Sequence, residues 1–330
     1  MEREDEFLRR NLQKKLSSYY FLDDDYKVSL LKYSENYNWL IESRDKKYVL
    51  RQCRPGYHTY EELNGELLWI EELRKTTDIL MPDILENKDG NFLTDIDGYI
   101  CTMFSFLEGT TLRGIDGEEL LFYLGKIGEI AAKLHIESIN RDNNIKLKRF
   151  SWNYDDLLGK SSRVGNWRQH SGLTERQKNC FEKAEKLIYE KLNAYGKGSE
   201  KYGLIHSDLN INNVLVEGEK VQIIDFDDCG YGWFLYDLST TVLEYDTEIM
   251  KKIEAWVHGY EKYRKFTEED KEMIPTFIVM RKIVRIGWIA SHMENDTVKK
   301  VAPDYYEQTA EMAEKYINSH GKEFCDGWNI

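Results

Sequence analysis

The chain has few of the features that mark membrane, secreted or zinc-binding proteins. Its five cysteines are widely scattered and odd in number, and no C-x-x-C pair occurs, which argues against a disulfide framework and a zinc site. No run of 18 apolar residues occurs, so the sequence offers no membrane-spanning helix. Residues 1–6 are too charged to begin a secretory signal. We therefore expect a reduced, cytoplasmic protein without a membrane partner.

Positive charge is also scarce. The chain carries 46 Lys and Arg against 59 Asp and Glu, a net charge of −13. A surface that binds nucleic acid without sequence preference needs the opposite balance, so we expect no nucleic-acid partner. Nucleotides stay possible ligands, because a divalent metal and a few local cations can neutralise their phosphates. With four prolines and no Ser/Gly-rich linker, any two lobes should be closely joined.

The predicted elements change in character along the chain. Apolar periodicity predicts a helix over 5–20, strands over 26–33, 37–42 and 47–53, a helix over 60–75, and strands over 91–95 and 98–107. Further on, it predicts helices over 116–139 and 174–195, two short strands within 203–225, and several helices from about 234 onward. The predicted fold class is therefore α+β, with a β-rich front, a mainly helical back and a join near 105–110.

One polar segment carries the strongest chemical signal. It reads H-x-D-L-x-x-x-N from His206 to Asn213, and Asp225 follows at the end of a short hydrophobic run. Phosphoryl transfer needs a carboxylate to orient or deprotonate the attacking hydroxyl, and an amide and a carboxylate to hold Mg²⁺ on the nucleotide phosphates. Asp208 is the candidate catalytic residue, and Asn213 and Asp225 are the candidate metal ligands. The order of these groups predicts an ATP-dependent phosphotransferase.

Three neighbours of these residues are candidates for other roles. Asp227 follows Asp225 by two positions and could reach the same side of an extended strand, so it is a candidate for a further metal or substrate role. Asp228 would then point elsewhere, into solvent. We expect His206 to shape the loop rather than to perform chemistry.

The motif and the lobe order resemble the aminoglycoside phosphotransferase and choline kinase superfamily, which has a protein-kinase-like fold. Residues 48–51 (YVLR) and 54–57 (RPGY) are similar to its type II homoserine kinase, stress-response kinase and amicoumacin kinase branches. The resemblance implies a bilobal fold, with a nucleotide-binding lobe over 1–105 and a catalytic and acceptor-binding lobe over 106–330. It also implies ATP and Mg²⁺ as cofactors and a small-molecule hydroxyl as acceptor. Asp237 resembles a buried aspartate that accepts backbone N–H bonds from the catalytic loop.

The nucleotide site is less distinct, because the chain has no G-x-G-x-x-G motif. Arg51 stands where many kinases have a lysine, and its two parallel N–H donors can also bind phosphate. Glu66 is its expected partner on the following helix, with Glu62 as the competitor. The complete set of candidate nucleotide-binding residues is Ser34 and Asn36 in the first turn, Arg51, Glu66, and the hinge Ser105, Phe106 and Leu107.

A basic and aromatic stripe is the candidate acceptor site. Arg281, Arg285, Trp288 and His292 recur at helical spacing, and Trp152 could cover the same pocket. The arginine pair favours an acceptor with an anionic or highly hydroxylated part. A solvated arginine pair beside a half-buried tryptophan is the structural alternative.

Two other functions compete with a small-molecule kinase. A protein Ser/Thr kinase of the stress-response type is one, although the chain lacks A-P-E and the glycine of D-F-G, where it has Asp227. A non-catalytic kinase-like protein is the other, and the presence of Asp208, Asn213 and Asp225 argues against it. The sequence leaves open the acceptor, the choice between ATP and GTP, and the oligomeric state.

Overall fold

The computed structural model of the chain describes residues 4–33, 35–141, 147–243, 248–293 and 296–328. These residues form two compact units. The first contains the described residues of Met1–Thr110, Asp142–Arg149 and Leu215–Asp227, and the second contains those of Thr111–Arg141, Phe150–Val214 and Asp228–Ile330. Among the described helices, none is both long and apolar enough to cross a lipid bilayer.

The first unit is built on an antiparallel sheet flanked by helices. Its elements are α1 (Glu4–Tyr19), β1 (Lys27–Tyr33), β2 (Tyr37–Ser43), β3 (Lys46–Gln52), α2 (Tyr60–Thr76), β4 (Ile84–Leu85), β5 (Thr94–Ile96) and β6 (Tyr99–Ser105). The sheet order is β1-β2-β3-β6-β4, with β5 also paired to β6. The apolar face of α1 packs Leu8, Leu12 and Leu16 against Trp39 and Met103 of the sheet. This packing explains the helical spacing of the leucines.

Local signals fix the elements that matter for the site. The turn between β2 and β3 places Arg44 at φ 49°, the left-handed conformation that hairpin turns use. Helix α2 begins with a capping box, in which Thr59 and Glu62 satisfy each other's backbone N–H groups. Gly65 allows α2 to approach the chain closely, because a Cβ there would lie 2.4 Å from the carbonyl oxygen of Lys148. The same helix carries Glu66.

The second unit is mainly helical. Its elements are α3 (Gly117–Asn140), β8 (Ser151–Trp152), α4 (Tyr154–Leu158), α5 (Glu175–Tyr195), β9 (Tyr202–Ile205), β12 (Gly230–Trp233), α6 (Leu235–Val242), α7 (Ile249–Glu261), α8 (Glu268–Ser291) and α9 (Asp296–Asn318). Strand β12 pairs antiparallel with β9 and parallel with β8. Helices α3 and α7 meet backbone to backbone, since a Cβ at Gly128 would lie 2.0 Å from the carbonyl oxygen of Trp256.

Three further short strands are β7 (Thr110–Thr111), β10 (Val214–Glu217) and β11 (Lys220–Ile223). The α+β fold class predicted from the sequence is confirmed, with a β-rich first unit and a helical second unit. Between residues 202 and 223 the chain forms three strands, one more than predicted. The strand predicted over 91–95 begins only at Thr94, because residues 87–91 form a turn closed by the bond from Asn87 N–H to the carbonyl of Asn91.

Candidate active site

The loop after β9 brings Asp208 and Asn213 together. The Asn213 side-chain nitrogen Nδ2 donates to Asp208 Oδ2 at 2.7 Å and to the Asp208 carbonyl oxygen at 3.0 Å. The backbone N–H of Asn210 also donates to that carbonyl, at 2.7 Å. Because the Asn213 nitrogen faces Asp208, its amide oxygen points away from Asp208. An oxygen in that orientation is a suitable ligand for a hard cation such as Mg²⁺.

Asp237 binds the backbone at the start of this loop. Its fully buried carboxylate accepts the backbone N–H bonds of His206 and Ser207, at 3.2 and 2.6 Å. The predicted role of Asp237 is therefore confirmed. Ser207 has φ 66°, a conformation that few non-glycine residues adopt. The two bonds to Asp237 stabilise this strained backbone directly before Asp208.

Asp237 belongs to a buried chain of hydrogen bonds that the sequence did not reveal. His135 Nε2 lies 3.1 Å from Asp237 Oδ2, and His135 Nδ1 lies 2.8 Å from the hydroxyl of Tyr260. Arg264 donates to the same hydroxyl at 2.7 Å. Burial lowers the pKa of His135, while the carboxylate of Asp237 opposes this shift. A neutral His135 is consistent with these contacts. Its Nε2–H donates to Asp237, and its Nδ1 accepts from the hydroxyl of Tyr260.

Arg281 of α8 joins the catalytic loop to Tyr236. Its Nη2 donates to Asp208 Oδ1 at 3.3 Å, and its Nη1 donates to the Tyr236 hydroxyl at 2.9 Å. Burial raises the pKa of Tyr236, Arg281 lowers it, and the nearby carboxylates of Asp208 and Asp228 raise it. The structure therefore brings one of the predicted acceptor-site residues into contact with the candidate catalytic residue.

The other predicted acceptor-site residues lie in the second unit with different contacts. Trp152 donates from its indole N–H to the carbonyl oxygen of Asp228 at 2.6 Å, an oxygen that also accepts from the Ser207 hydroxyl at 2.6 Å. Arg285 lies over the ring of Tyr305, with its guanidinium carbon 5.6 Å from the ring centroid. Trp288 stacks on His292 at 4.1 Å. Asp228, expected to be solvated, is only half exposed.

In the first unit, Arg51 of β3 and Glu66 of α2 form a buried ion pair. The two guanidinium nitrogens donate to the two carboxylate oxygens at 2.8 Å each, and both side chains are almost inaccessible to water. The predicted partnership is confirmed, and the competitor Glu62 instead caps α2. Paired N–H donors of this kind hold a guanidinium in a fixed orientation.

Asp227 is the centre of a second buried cluster. Asn36 donates to Asp227 Oδ2 at 2.9 Å, while Arg51 Nη1 and His58 Nε2 lie 3.5 and 3.3 Å from Oδ1. Arg149 donates to the Asp227 carbonyl oxygen at 2.5 Å. Burial raises the pKa of Asp227, but Arg51, His58 and Asn36 outweigh it and hold the pKa well below its ordinary value. The role of Asp227 as a metal ligand stays a proposal.

Asp225 differs from Asp227 in backbone and exposure. It has φ 67°, and β11 has already ended at Ile223, so the alternation expected for an extended strand does not apply here. Asp225 is exposed, whereas Phe226 packs edge-on against Trp69 and Asp227 is buried. The protein atoms around Asp225 reduce its hydration and raise its pKa to about 6, with the charge of Asp227 acting in the same direction and Arg51 opposing.

The structure describes the surroundings of the predicted nucleotide-binding residues other than Ser34. Asn36 is buried, and its side-chain oxygen accepts from the backbone N–H of Arg54 at 2.9 Å, so Asn36 bonds the segment after β3 as well as Asp227. Ser105 and Phe106 use their backbone N–H groups within the unit, on the carbonyls of Asp83 and Lys47. Leu107 is half-buried after the end of β6. Ser34 lies outside the described residues.

The types of side chain that are present limit which metal ions this protein could bind. Within the described part of the chain, no group of three or more His, Cys, Asp and Glu side chains could hold a metal ion. The candidate ligands Asn213 and Asp225 are one amide and one carboxylate. Such oxygen donors fit Mg²⁺, which keeps several waters and substrate phosphate oxygens.

Comparison with known proteins gives the family. Residues 30–270 match the model of the phosphotransferase enzyme family, APH. The structure of a microcompartment-associated aminopropanol kinase is similar, with a TM-score of 0.87 and 31% sequence identity over 95% of this chain and 98% of that chain. Amicoumacin kinase hAmiN, in complex with AMP-PNP, Ca²⁺ and Ami, has a TM-score of 0.76 at 17% identity, covering 93% of each chain. The amicoumacin kinase of Bacillus subtilis (strain 168) is 24% identical over 82% of each sequence.

The chain belongs to the phosphotransferase enzyme family. It is a kinase-like enzyme that transfers phosphate to the hydroxyl group of a small molecule. The superfamily resemblance inferred from residues 206–225 is confirmed, and so is its amicoumacin kinase branch among the relatives.

Proposed function

We propose that this enzyme transfers the γ-phosphoryl group of Mg-ATP to the hydroxyl group of an amino alcohol. The observation that carries the proposal is the similarity to an aminopropanol kinase, at 31% identity along 95% of the chain. ATP and a divalent metal are supported by the similar fold of an amicoumacin kinase bound to AMP-PNP and Ca²⁺. The choice of Mg²⁺ rests on the oxygen ligands Asn213 and Asp225.

Asp208 would orient the acceptor hydroxyl and take up its proton. A general base must lie within about 3 Å of that proton's oxygen, and the Asp208 carboxylate is held in place by Asn213 and Arg281. Asn213 in the second unit and Asp225 in the first are each proposed as an oxygen ligand of Mg²⁺, and the ion would supply positive charge to the phosphates. In the first unit, the Arg51 guanidinium fixed by Glu66 would bind nucleotide phosphate, and the Leu107 backbone would contact adenine.

The charges around Asp208 favour a cationic acceptor. The guanidinium of Arg281 faces the carboxylate of Asp208, with Nη2 donating to Asp208 and Nη1 donating to the hydroxyl of Tyr236. The carboxylates of Asp208 and Asp228 both act to raise the pKa of Tyr236, so the negative charge of both is felt at its hydroxyl. Two carboxylates and one guanidinium leave a net negative charge, which suits an ammonium group. The anionic acceptor favoured by the arginine pair in the sequence is therefore not the one we propose.

Asp228 is the residue that we propose for the ammonium group. Its main chain is fixed by the bonds from Trp152 and Ser207 to its carbonyl oxygen, so the carboxylate starts from a defined position beside the loop. Trp152 would contribute an apolar wall for the carbon skeleton of the acceptor. An amino alcohol offers both groups that this arrangement can bind: a hydroxyl for Asp208 and an ammonium for Asp228.

A panel of acceptors tests the proposal. ADP release would be measured with Mg-ATP and ethanolamine, 1-amino-2-propanol, choline, homoserine, an aminoglycoside, an amicoumacin-type antibiotic, the uncharged analogue 1,2-propanediol and a generic protein substrate. We expect release with the amino alcohols, little with the diol, and loss of release in the Asp208→Asn variant. Preference for homoserine or an antibiotic would overturn the acceptor class. Release only with the protein substrate would favour a protein kinase.

A further inference from the structure

Arg281 has one side-chain nitrogen, Nε, that neither Asp208 nor Tyr236 engages. Its Nε is buried and has no hydrogen-bond partner among the described residues, although Nη1 and Nη2 both donate. A buried donor without an acceptor is unfavourable, and a ligand that supplies the acceptor would remove this cost. The guanidinium is permanently charged, so an anionic oxygen is the partner that would satisfy Nε best.

The position of Arg281 indicates which anion this is. Its Nη2 lies 3.3 Å from Asp208 Oδ1, the carboxylate to which we assign the acceptor hydroxyl. An acceptor hydroxyl oxygen within about 3 Å of Asp208 attacks the γ-phosphorus from that position. The oxygens of the transferred phosphoryl group therefore come within reach of the guanidinium. The contact with Asp208 is long for a charged hydrogen bond, whose usual length is about 2.7–2.9 Å, and can be exchanged at low cost.

We propose that Arg281 is a catalytic residue that donates to the phosphoryl group during transfer and to the phosphate ester of the product. This inference rests on the proposed function. In the reaction, the acceptor O–H bond breaks and its proton passes to the Asp208 carboxylate. The new bond joins the acceptor oxygen to the γ-phosphorus, and the bond from that phosphorus to the β–γ bridging oxygen breaks, leaving ADP.

Proton uptake by Asp208 gives Arg281 a reason to change partner. A protonated, neutral Asp208 is a weaker acceptor than a carboxylate, and the phosphate ester formed beside it is a stronger one. Nη2 would therefore turn from Asp208 to the phosphate oxygens, where Nε would also find an acceptor, while the Tyr236 hydroxyl keeps Nη1 in place at 2.9 Å. The guanidinium thus stabilises the substrate complex weakly and the transferring phosphoryl group strongly, which is the condition for a higher kcat.

The test separates phosphate binding from simple support of Asp208. Arg281→Lys and Arg281→Met would be compared with wild type for kcat, for KM of ATP and acceptor, and for calorimetric Kd of ethanolamine and O-phosphoethanolamine. Lys271→Met is the matched control, because Lys271 also lies on α8 and pairs there with the exposed Glu268. Thermal melting of each variant would show that it is folded.

We expect Arg281→Met to lower kcat by about 10²–10³-fold, as the loss of one transition-state donor does elsewhere. Its Kd for O-phosphoethanolamine should rise at least tenfold, while the Kd for ethanolamine and the KM for ATP stay within about twofold. Arg281→Lys, which keeps the charge but loses Nε, should recover only part of the phosphate affinity. Lys271→Met should match wild type.

Two contrary results would have different meanings. An active wild type whose Arg281 variants bind O-phosphoethanolamine as tightly as before would overturn this inference alone, leaving Arg281 as a support for Asp208. Wild-type protein that phosphorylates no amino alcohol would overturn the proposed function, and this inference with it.

Discussion

Asn213 donates from one side-chain nitrogen to both the carboxylate and the main-chain carbonyl of Asp208, at 2.7 and 3.0 Å. This double contact fixes the candidate metal ligand Asn213 relative to the candidate base Asp208 within one loop. Asp237 fixes the same loop from its other end through the N–H groups of His206 and Ser207. The loop is therefore pre-organised before any substrate binds, which lowers the cost of aligning the reacting groups.

Replacing Asp208 by Asn should nearly abolish turnover while preserving the fold. The asparagine oxygen can still accept from Asn213, so the loss in unfolding free energy should be about 1 kcal/mol. The proton acceptor is lost, and kcat should fall by about 10²–10⁴-fold. Steady-state ADP release and nucleotide titration by fluorescence check both parts. Wild-type turnover in this variant would remove Asp208 from the mechanism.

Arg51 should matter for stability as well as for nucleotide binding. Arg51→Met leaves the buried Glu66 carboxylate without its cation, which typically costs about 3–5 kcal/mol. Arg51→Lys keeps the charge but not the two parallel donors, so it should be less destabilised and should show a raised KM for ATP. Urea unfolding and ADP release measure the two effects.

Arg54→Met is the control for this pair, because Arg54 is exposed and pairs with the partly exposed Glu35. Exposed pairs contribute about 0–1 kcal/mol, so this variant should unfold close to wild type. Equal destabilisation by Arg51→Met and Arg54→Met would show that the buried pair has no special role.

Asp228→Asn should separate acceptor binding from nucleotide binding. The substitution keeps the main-chain carbonyl that Trp152 and Ser207 bind, but it removes the charge that we assign to the ammonium group. The KM for ethanolamine or 1-amino-2-propanol should rise about tenfold or more, since a hydrogen bond to a charged group contributes about 1.5–3 kcal/mol. The KM for ATP should not change. A selective rise in the KM for ATP would contradict the assignment.

His135 should make the protein less stable in mild acid. Burial holds its native pKa below the ordinary value of about 6.5, so the unfolded chain takes up the proton first as the pH falls through that value. The contribution of His135 to the free energy of unfolding is complete above about pH 6.5. Below that pH, the free energy of unfolding falls by at most about 1.4 kcal/mol per pH unit. Urea unfolding between pH 8 and 5 would show this slope. His135→Gln should be less stable at pH 8 but should have a flatter profile.

Much of the site was predictable because its residues are close in sequence or follow a regular pattern. The spacing from Asp208 to Asn213 is short, and the structure brings the two side chains together. The ion pair between Arg51 and Glu66 followed from a strand and the next helix, both of which periodicity located. The bonds to Asp237 followed from a family resemblance rather than from spacing.

The remaining contacts join distant parts of the chain, where periodicity carries no information. Asn36 binds Asp227 across 191 positions, and Arg281 binds Asp208 across 73. Which partners meet at such separations depends on how the elements pack, not on their local pattern. The left-handed backbone of Asp225 was also hidden, because a non-glycine residue gives no signal of a positive φ. The sequence had predicted that Asp225 and Asp227 lie on the same side of an extended strand, and because of this angle they do not.

The most direct test of the account is a phosphorus NMR spectrum of the reaction product. Wild-type protein would be incubated with Mg-ATP and 1-amino-2-propanol, and Asp208→Asn would be run beside it. We predict a new phosphomonoester resonance with scalar coupling to the carbinol proton, equal in amount to the ADP formed and absent from the variant. ADP accompanied only by inorganic phosphate, or by a phosphoramidate signal from the amino group, would contradict transfer to the hydroxyl group.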